Sequence, residues 1–308
     1  MPDVGSLLEE GKRCESHGVL DRACACYASA AEIAADPATR AEALTHQSRV
    51  HRSQCEWELA LEAARRAQDI AREGHLGALL NEAINAEALV LVCRGDFSEA
   101  LRLFNDILSV TEDPRLRGIA LQNIGSILAQ QGKLGAAERA FTESFGWFRH
   151  AGYRLGEAMA LNNHGRLALD RGNAELAQQL LEQAMAAARA EEYADLIALA
   201  TLNYAEALDA RGQHARAEEQ ASTALGYFAT SGNRWREIEC LRLIGAINER
   251  QGDCADAIRC YQRALGLAEE LGAGQDISIM RECLTRARTR AVPGTGTRRS
   301  PQEHRISP

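Results

Sequence analysis

Leu121–Phe141, LQNIGSILAQQGKLGAAERAF, decides how the rest of the chain is read. It describes one helix, a turn at Gly132 and the start of a second helix. The pattern returns as LNNHGRLALDRGNAELAQQLL at Leu161–Leu181 and LRLIGAINERQGDCADAIRCY at Leu241–Tyr261, whole 40-residue steps away. A fixed period of this size marks a repeat array, in which one helix pair cannot bury its apolar face alone and stacks on its neighbours.

Aligned on the turn, the register extends through the chain. The turn positions are Gly18, Cys55, Gly95, Gly132, Gly172, Gly212 and Gly252, spaced by 37 or 40 residues. Five residues after each stands an alanine: Ala23, Ala60, Ala100, Ala137, Ala177, Ala217 and Ala257. Seven before each stands a small residue: Gly11, Ser48, Ala88, Gly125, Gly165, Ala205 and Gly245. A turn glycine supplies the left-handed backbone that ends a helix. The small residue and the alanine are expected to face each other, since interaxial distance follows side-chain size at the contact. Leu7, Leu44, Ile84, Leu121, Leu161 and Leu241 are expected to fill the space between neighbouring pairs.

The second helices carry a further signature: Ala100 with Phe104, Ala137 with Phe141, Ala23 with Tyr27 and Ala30, and Ala257 with Tyr261 and Ala264. In these residues the chain resembles the tetratricopeptide repeat family over roughly residues 5–271. Its longer units are similar to the 40-residue class found in kinesin light chain, LGN/Pins adaptors and MalT-like regulators. The first-helix tryptophan and tyrosine of the family are replaced by leucine and other residues. The resemblance implies an all-α fold, an α-solenoid of seven antiparallel helix-pair repeats. Gln275–Arg288, with Ile277, Met280 and Leu284 on one face, reads as a C-terminal capping helix. One superhelical domain over residues 1–290 and a disordered basic tail over 291–308 are expected.

Composition narrows the function classes. Aromatic residues make up 5% of the 308 residues, which disfavours sheet, and no apolar run approaches the ~18 residues of a membrane span. The nine cysteines show no disulfide framework, and Cys24 and Cys26 lie two apart on a helix, pointing different ways. Buried, reduced thiols in a cytoplasmic protein are the expectation. No metalloprotease, P-loop, nucleophile-elbow or dinucleotide motif occurs, so no enzyme, metal or cofactor is expected. The chain carries a net charge of −8, with six arginines against Glu303 from Arg286 onward. The acidic body would repel phosphate, which argues against nucleic acid as partner.

In the family's geometry the first helices line a concave groove. Carried onto this chain, that geometry selects Asn85, Leu89, Ile119, Gln122, Asn123, Ser126, Met159, Asn162, Asn163 and Arg166, then Leu199, Leu202, Asn203, Glu206 and Arg242. Arg49 and Arg52 would charge one end, and Glu239, Glu249 and Arg250 the other. Asn123, Asn163 and Asn203 recur every 40 residues. An amide both donates and accepts, so such a row can grip an extended peptide backbone; it can equally fix the stacking of repeats. The expected function is a non-enzymatic protein- or peptide-binding scaffold or adaptor. The alternative is a regulatory sensor of the MalT-like or peptide-receptor kind, although a first repeat beginning near residue 5 leaves no room before it for a DNA-binding module.

Overall fold

The computed structural model describes residues 3–291. The expected basic tail lies outside them, apart from Ala291 at the end of the last helix. The described residues form fifteen α-helices and no strand. They fall into two compact units, divided in sequence between Arg171 and Gly172.

The first unit contains α1 (Val4–Ser16), α2 (Leu20–Ile33), α3 (Pro37–Ser53), α4 (Trp57–Glu73), α5 (Gly77–Arg94), α6 (Phe97–Val110), α7 (Pro114–Gln130), α8 (Leu134–His150) and α9 (Arg154–Asp170). Consecutive helices pack on one another, and α3, α5, α7 and α9 also touch in that order. The second unit contains α10 (Ala174–Ala190), α11 (Ala194–Ala210), α12 (His214–Ser231), α13 (Arg234–Gln251), α14 (Cys254–Glu270) and α15 (Gly274–Ala291). These again pack in chain order, with α11 also touching α13. Contact between alternate helices is what a solenoid of stacked pairs requires. The fold class is the expected all-α solenoid, with α15 covering the last pair. No described helix is long and apolar enough to cross a membrane.

Local chemistry sets the helix ends. All seven turn positions of the register adopt a left-handed backbone, including Gly132 at φ +73° and, without glycine, Cys55 at φ +61°. Two junctions between pairs are built differently. Asp36 accepts from the Thr39 backbone N–H at 3.0 Å and Asp113 from that of Arg115 at 2.9 Å, each followed by proline as the first helical residue. Aspartate caps the free N–H groups, and proline there gives up an N–H that had no partner anyway. These junctions belong to the 37-residue units, whose second helices α2 and α6 have 14 residues where α4, α8, α10 and α14 have 17.

All seven register alanines are fully buried. The small first-helix residue, however, mainly faces the position four beyond the alanine. A Cβ added at Gly11 would lie 2.6 Å from the Tyr27 ring, at Gly125 2.6 Å from Phe141, and at Gly245 2.5 Å from Tyr261. The expected pairing of small residue with alanine is thereby corrected: the missing side chain makes room for an aromatic ring, the bulkiest group at the crossing. In the second pair that position is Ala64, and there Ser48 Oγ does reach the Ala60 carbonyl, at 2.8 Å.

The first and seventh pairs share a polar extension of this contact. Tyr27 Oη donates to Glu15 at 2.9 Å, and Arg49 donates to the same carboxylate at 2.5 and 2.7 Å. In the same register, Tyr261 Oη donates to Glu249 at 2.8 Å, and Arg286 of α15 donates to it at 2.7 Å. Each arginine comes from a following helix, so this group ties one pair to the next element.

Candidate partner-binding groove

The helices α3, α5 and α7 carry the groove positions of the first unit. Between them lies a cavity of about 630 Å³, lined by Asn85, Leu89 and Ile119 of the sequence-selected residues. His46, two residues before Ser48, holds the place in its repeat that Asn123 holds in the fourth, and it lines the same cavity. Its ring stacks on Tyr27 at 5.1 Å between centroids. Burial, with Arg49 nearby, pushes its imidazole below the ordinary range, so it is neutral near pH 7.

Polar satisfaction sets this surface apart. His46 Nδ1 and Asn85 Oδ1 on the cavity lining, and Arg117 Nε and Gln122 Oε1 outside that lining, are buried without a hydrogen-bond partner in the protein. Such atoms are uncommon, because an unsatisfied buried polar group costs about 1–3 kcal/mol. The four sit on the adjoining helices α3, α5 and α7.

Charge of both signs lines the cavity: Arg49, Arg52 and Arg115 with Glu82, Glu112 and Asp113. Arg52 on α3 has no carboxylate partner among the described residues, whereas Arg49 is committed to Glu15. Glu82 on α5 and Glu112 before α7 form no ion pair among the described residues. Desolvation pushes the Glu82 carboxyl up, against the pull of Arg115. Val110, which is 67% exposed, stands at the rim. Glu82, Val110 and Glu112 were not among the selected residues. For Val110 and Glu112 the available signal was the 37-residue spacing, which shortens α6 and brings the α6–α7 junction to the cavity wall.

A second cavity of about 240 Å³ is lined by Ser126, Asn163 and Arg166 together with Gln130 and Asp170. Arg166 donates to Asp170 at 2.8 Å, and Asn162 Nδ2 donates to Asn163 Oδ1 at 3.4 Å. Asn123 and Met159 are half-buried on the same helices. In the second unit Leu199 and Glu206 are half-buried and Arg242 is exposed, while Leu202 and Asn203 are buried.

The asparagine row is therefore not uniform. Asn203 is only 7% exposed, and neighbouring Asn162 only 3%, while Asn123 and Asn163 remain partly open. Asn203 lies on α11, which has α10, α12 and α13 around it. The charged end expected at Glu249 is also corrected. Its carboxylate is buried beneath Tyr261, Arg286 and Arg290, which holds it inside the packing.

The tetratricopeptide repeat family model matches residues 116–190. Among curated proteins, no relative matches. Solved structures resemble the chain in fold. The apo form of RapI is 15% identical, with a TM-score of 0.66 covering 88% of this chain and 99% of that one. The apo form of the quorum sensor NprR from B. thuringiensis is 14% identical, with a TM-score of 0.69 covering 86% and 76%. The Rap conjugation gene regulator of the plasmid pLS20, solved with the Phr* peptide, is 16% identical, with a TM-score of 0.70 covering 88% and 74%. The family match over residues 116–190 lies within the same turn register that runs from Gly18 to Gly252, and residues 116–190 are tetratricopeptide-like repeats.

Proposed function

We propose that this is a non-enzymatic peptide-binding regulator or scaffold, and that the α3–α5–α7 groove of its first unit takes a short segment of mixed charge. The observation that carries the reading is the pair of buried, unpartnered polar atoms on the cavity lining, His46 Nδ1 and Asn85 Oδ1. A peptide backbone supplies an N–H donor for the Asn85 oxygen and a partner of either kind for the imidazole nitrogen. Arg52 favours an acidic group, and Glu82 and Glu112, which form no ion pair among the described residues, favour a basic one. Leu89, Ile119 and Val110 add apolar contact. The sensor form of the reading draws support from similar folds whose structures hold a peptide or carry the name of a quorum sensor. A cytoplasmic setting belongs to the same proposal, with all nine cysteines free.

A displayed library of random peptides, selected on the full-length chain, tests it. Enriched peptides are expected to carry both charges and to lose about three- to tenfold in affinity on Asn85→Ala, the loss of one hydrogen bond. Leu89→Asp, at a partly buried position that also packs on the core, is expected to lower the melting temperature and to abolish binding by the protein that remains folded. Failure to enrich any peptide, or enriched peptides indifferent to both substitutions, overturns the proposal.

A further inference from the structure

Outside the cavity lining, the first unit holds a cluster of Cys24 on α2, Gln47 and His51 on α3, and Glu56 immediately before α4. Cys24 Sγ lies 3.3 Å from His51 Nε2, and His51 Nδ1 lies 2.6 Å from Glu56 Oε2. Gln47 Nε2 is 3.8 Å from the sulfur. The imidazole is buried, the thiol half-buried and the carboxylate partly exposed. Backbone geometry holds the acid against the base. Cys55 turns the chain through its left-handed φ, and the Glu56 N–H donates to the His51 carbonyl at 2.9 Å.

A thiol, an imidazole and a carboxylate in line, within hydrogen-bond reach, are the parts of an activated nucleophile. Glu56 accepting from Nδ1–H leaves the Nε2 lone pair facing the sulfur, which is the tautomer a general base needs. Burial raises the Cys24 thiol above its ordinary range, with the Gln47 hydrogen bond acting in the opposite sense. The resting group is thus a thiol, and reaction requires that its proton be taken as the sulfur attacks.

We propose that Cys24 is a thiol-modification site for low-molecular-weight disulfides, with His51 as its general base and Glu56 positioning that base. His51 Nε2 removes the proton as Cys24 Sγ attacks one sulfur of the disulfide RSSR. A Cys24–S–SR bond forms, the original S–S bond breaks, and the departing thiolate takes the proton back from Nε2 and leaves as RSH. One thiol and one disulfide become another of each, so no outside oxidant is needed.

The test reacts the full-length protein with limiting glutathione disulfide and follows each of the nine cysteines by mass spectrometry. Cys24 is expected to react faster than Cys55 and Cys93, although those two are the exposed thiols. Glu56→Gln keeps a hydrogen-bond acceptor but removes the charge. It is expected to slow Cys24 by roughly tenfold or more while leaving Cys55 and Cys93 unchanged, and Glu56→Asp is expected to restore much of the rate. Two results overturn the proposal: Cys24 reacting more slowly than both exposed cysteines, or Glu56→Gln leaving its rate unchanged. The first comparison needs only the wild-type chain, so it stands even if a variant folds poorly.

Discussion

At the scale of single residues, the helix crossing is a matter of volume. Gly125 leaves space for the Phe141 ring, and a methyl group placed there meets ring carbon at 2.6 Å. Gly125→Ala is expected to destabilise the chain by about 1–3 kcal/mol, the usual cost of overpacking. Phe141→Leu in the same chain should recover part of that loss, because the smaller side chain can retreat. Thermal melts of both single variants and the double variant measure the coupling, and additive losses would contradict it. Glu249 allows a second test, by pH. Arg286 holds its carboxyl below the ordinary range against the opposing effect of burial, with Tyr261 assisting. A depressed folded pKa contributes stability that is present above the unfolded value, about 4.3, and is lost as pH falls through the folded one. The melting gap between wild type and Arg286→Gln should therefore be wide at pH 7 and close under strongly acidic conditions. A gap independent of pH would mean that the arginine acts only through its packing.

At the scale of elements, the turns do the work of spacing the helices. Cys55, His75 and Glu192 stand in left-handed turns where other repeats have glycine, at φ +61°, +55° and +53°. A side chain in that region costs roughly 1–2 kcal/mol, while glycine brings back about 0.4–1 kcal/mol of unfolded-chain entropy. His75→Gly and Glu192→Gly are each expected to stabilise by up to about 1 kcal/mol, read from urea midpoints at constant slope. A lowered midpoint in both would show that these side chains make compensating contacts. The two short helices α2 and α6 have a different consequence. Each ends in an extended residue with Asp-Pro two positions on, and after α6 this junction brings Glu112 and Asp113 to the cavity.

At the scale of the whole molecule, every stacked pair needs a neighbour, and α15 is the neighbour of α14. Met280 and Ala287 are fully buried there, with Leu284 and Cys283 nearly so, in the cluster that also holds Tyr261 and Leu267. Arg286 and Arg290 of α15 are also the partners of buried Glu249. A chain ending at Gly272 would expose this apolar face and strand the carboxylate. It should bind a hydrophobic dye strongly and melt well below the full-length chain. Equal melting midpoints and no added dye binding would remove α15 from the role of cap.

Helix pairing, turn positions and repeat number follow from the sequence alone, because period and turn chemistry are local and repeat seven times from Gly18 to Gly252. The burial of the seven alanines follows from the same regularity. The cavity between α3, α5 and α7 was legible only in outline. Asn85, Leu89 and Ile119 do line it, yet nothing local distinguishes partly open Asn123 from buried Asn203, since both occupy the same place in their repeats. Only the tertiary structure decided which polar atoms lack partners, because satisfaction depends on groups brought from other helices. The same holds for Cys24 and His51, 27 residues apart in the chain and 3.3 Å apart across two helices. Periodicity specifies which face a residue occupies; distance and hydrogen bonding across that face arise only when neighbouring helices pack.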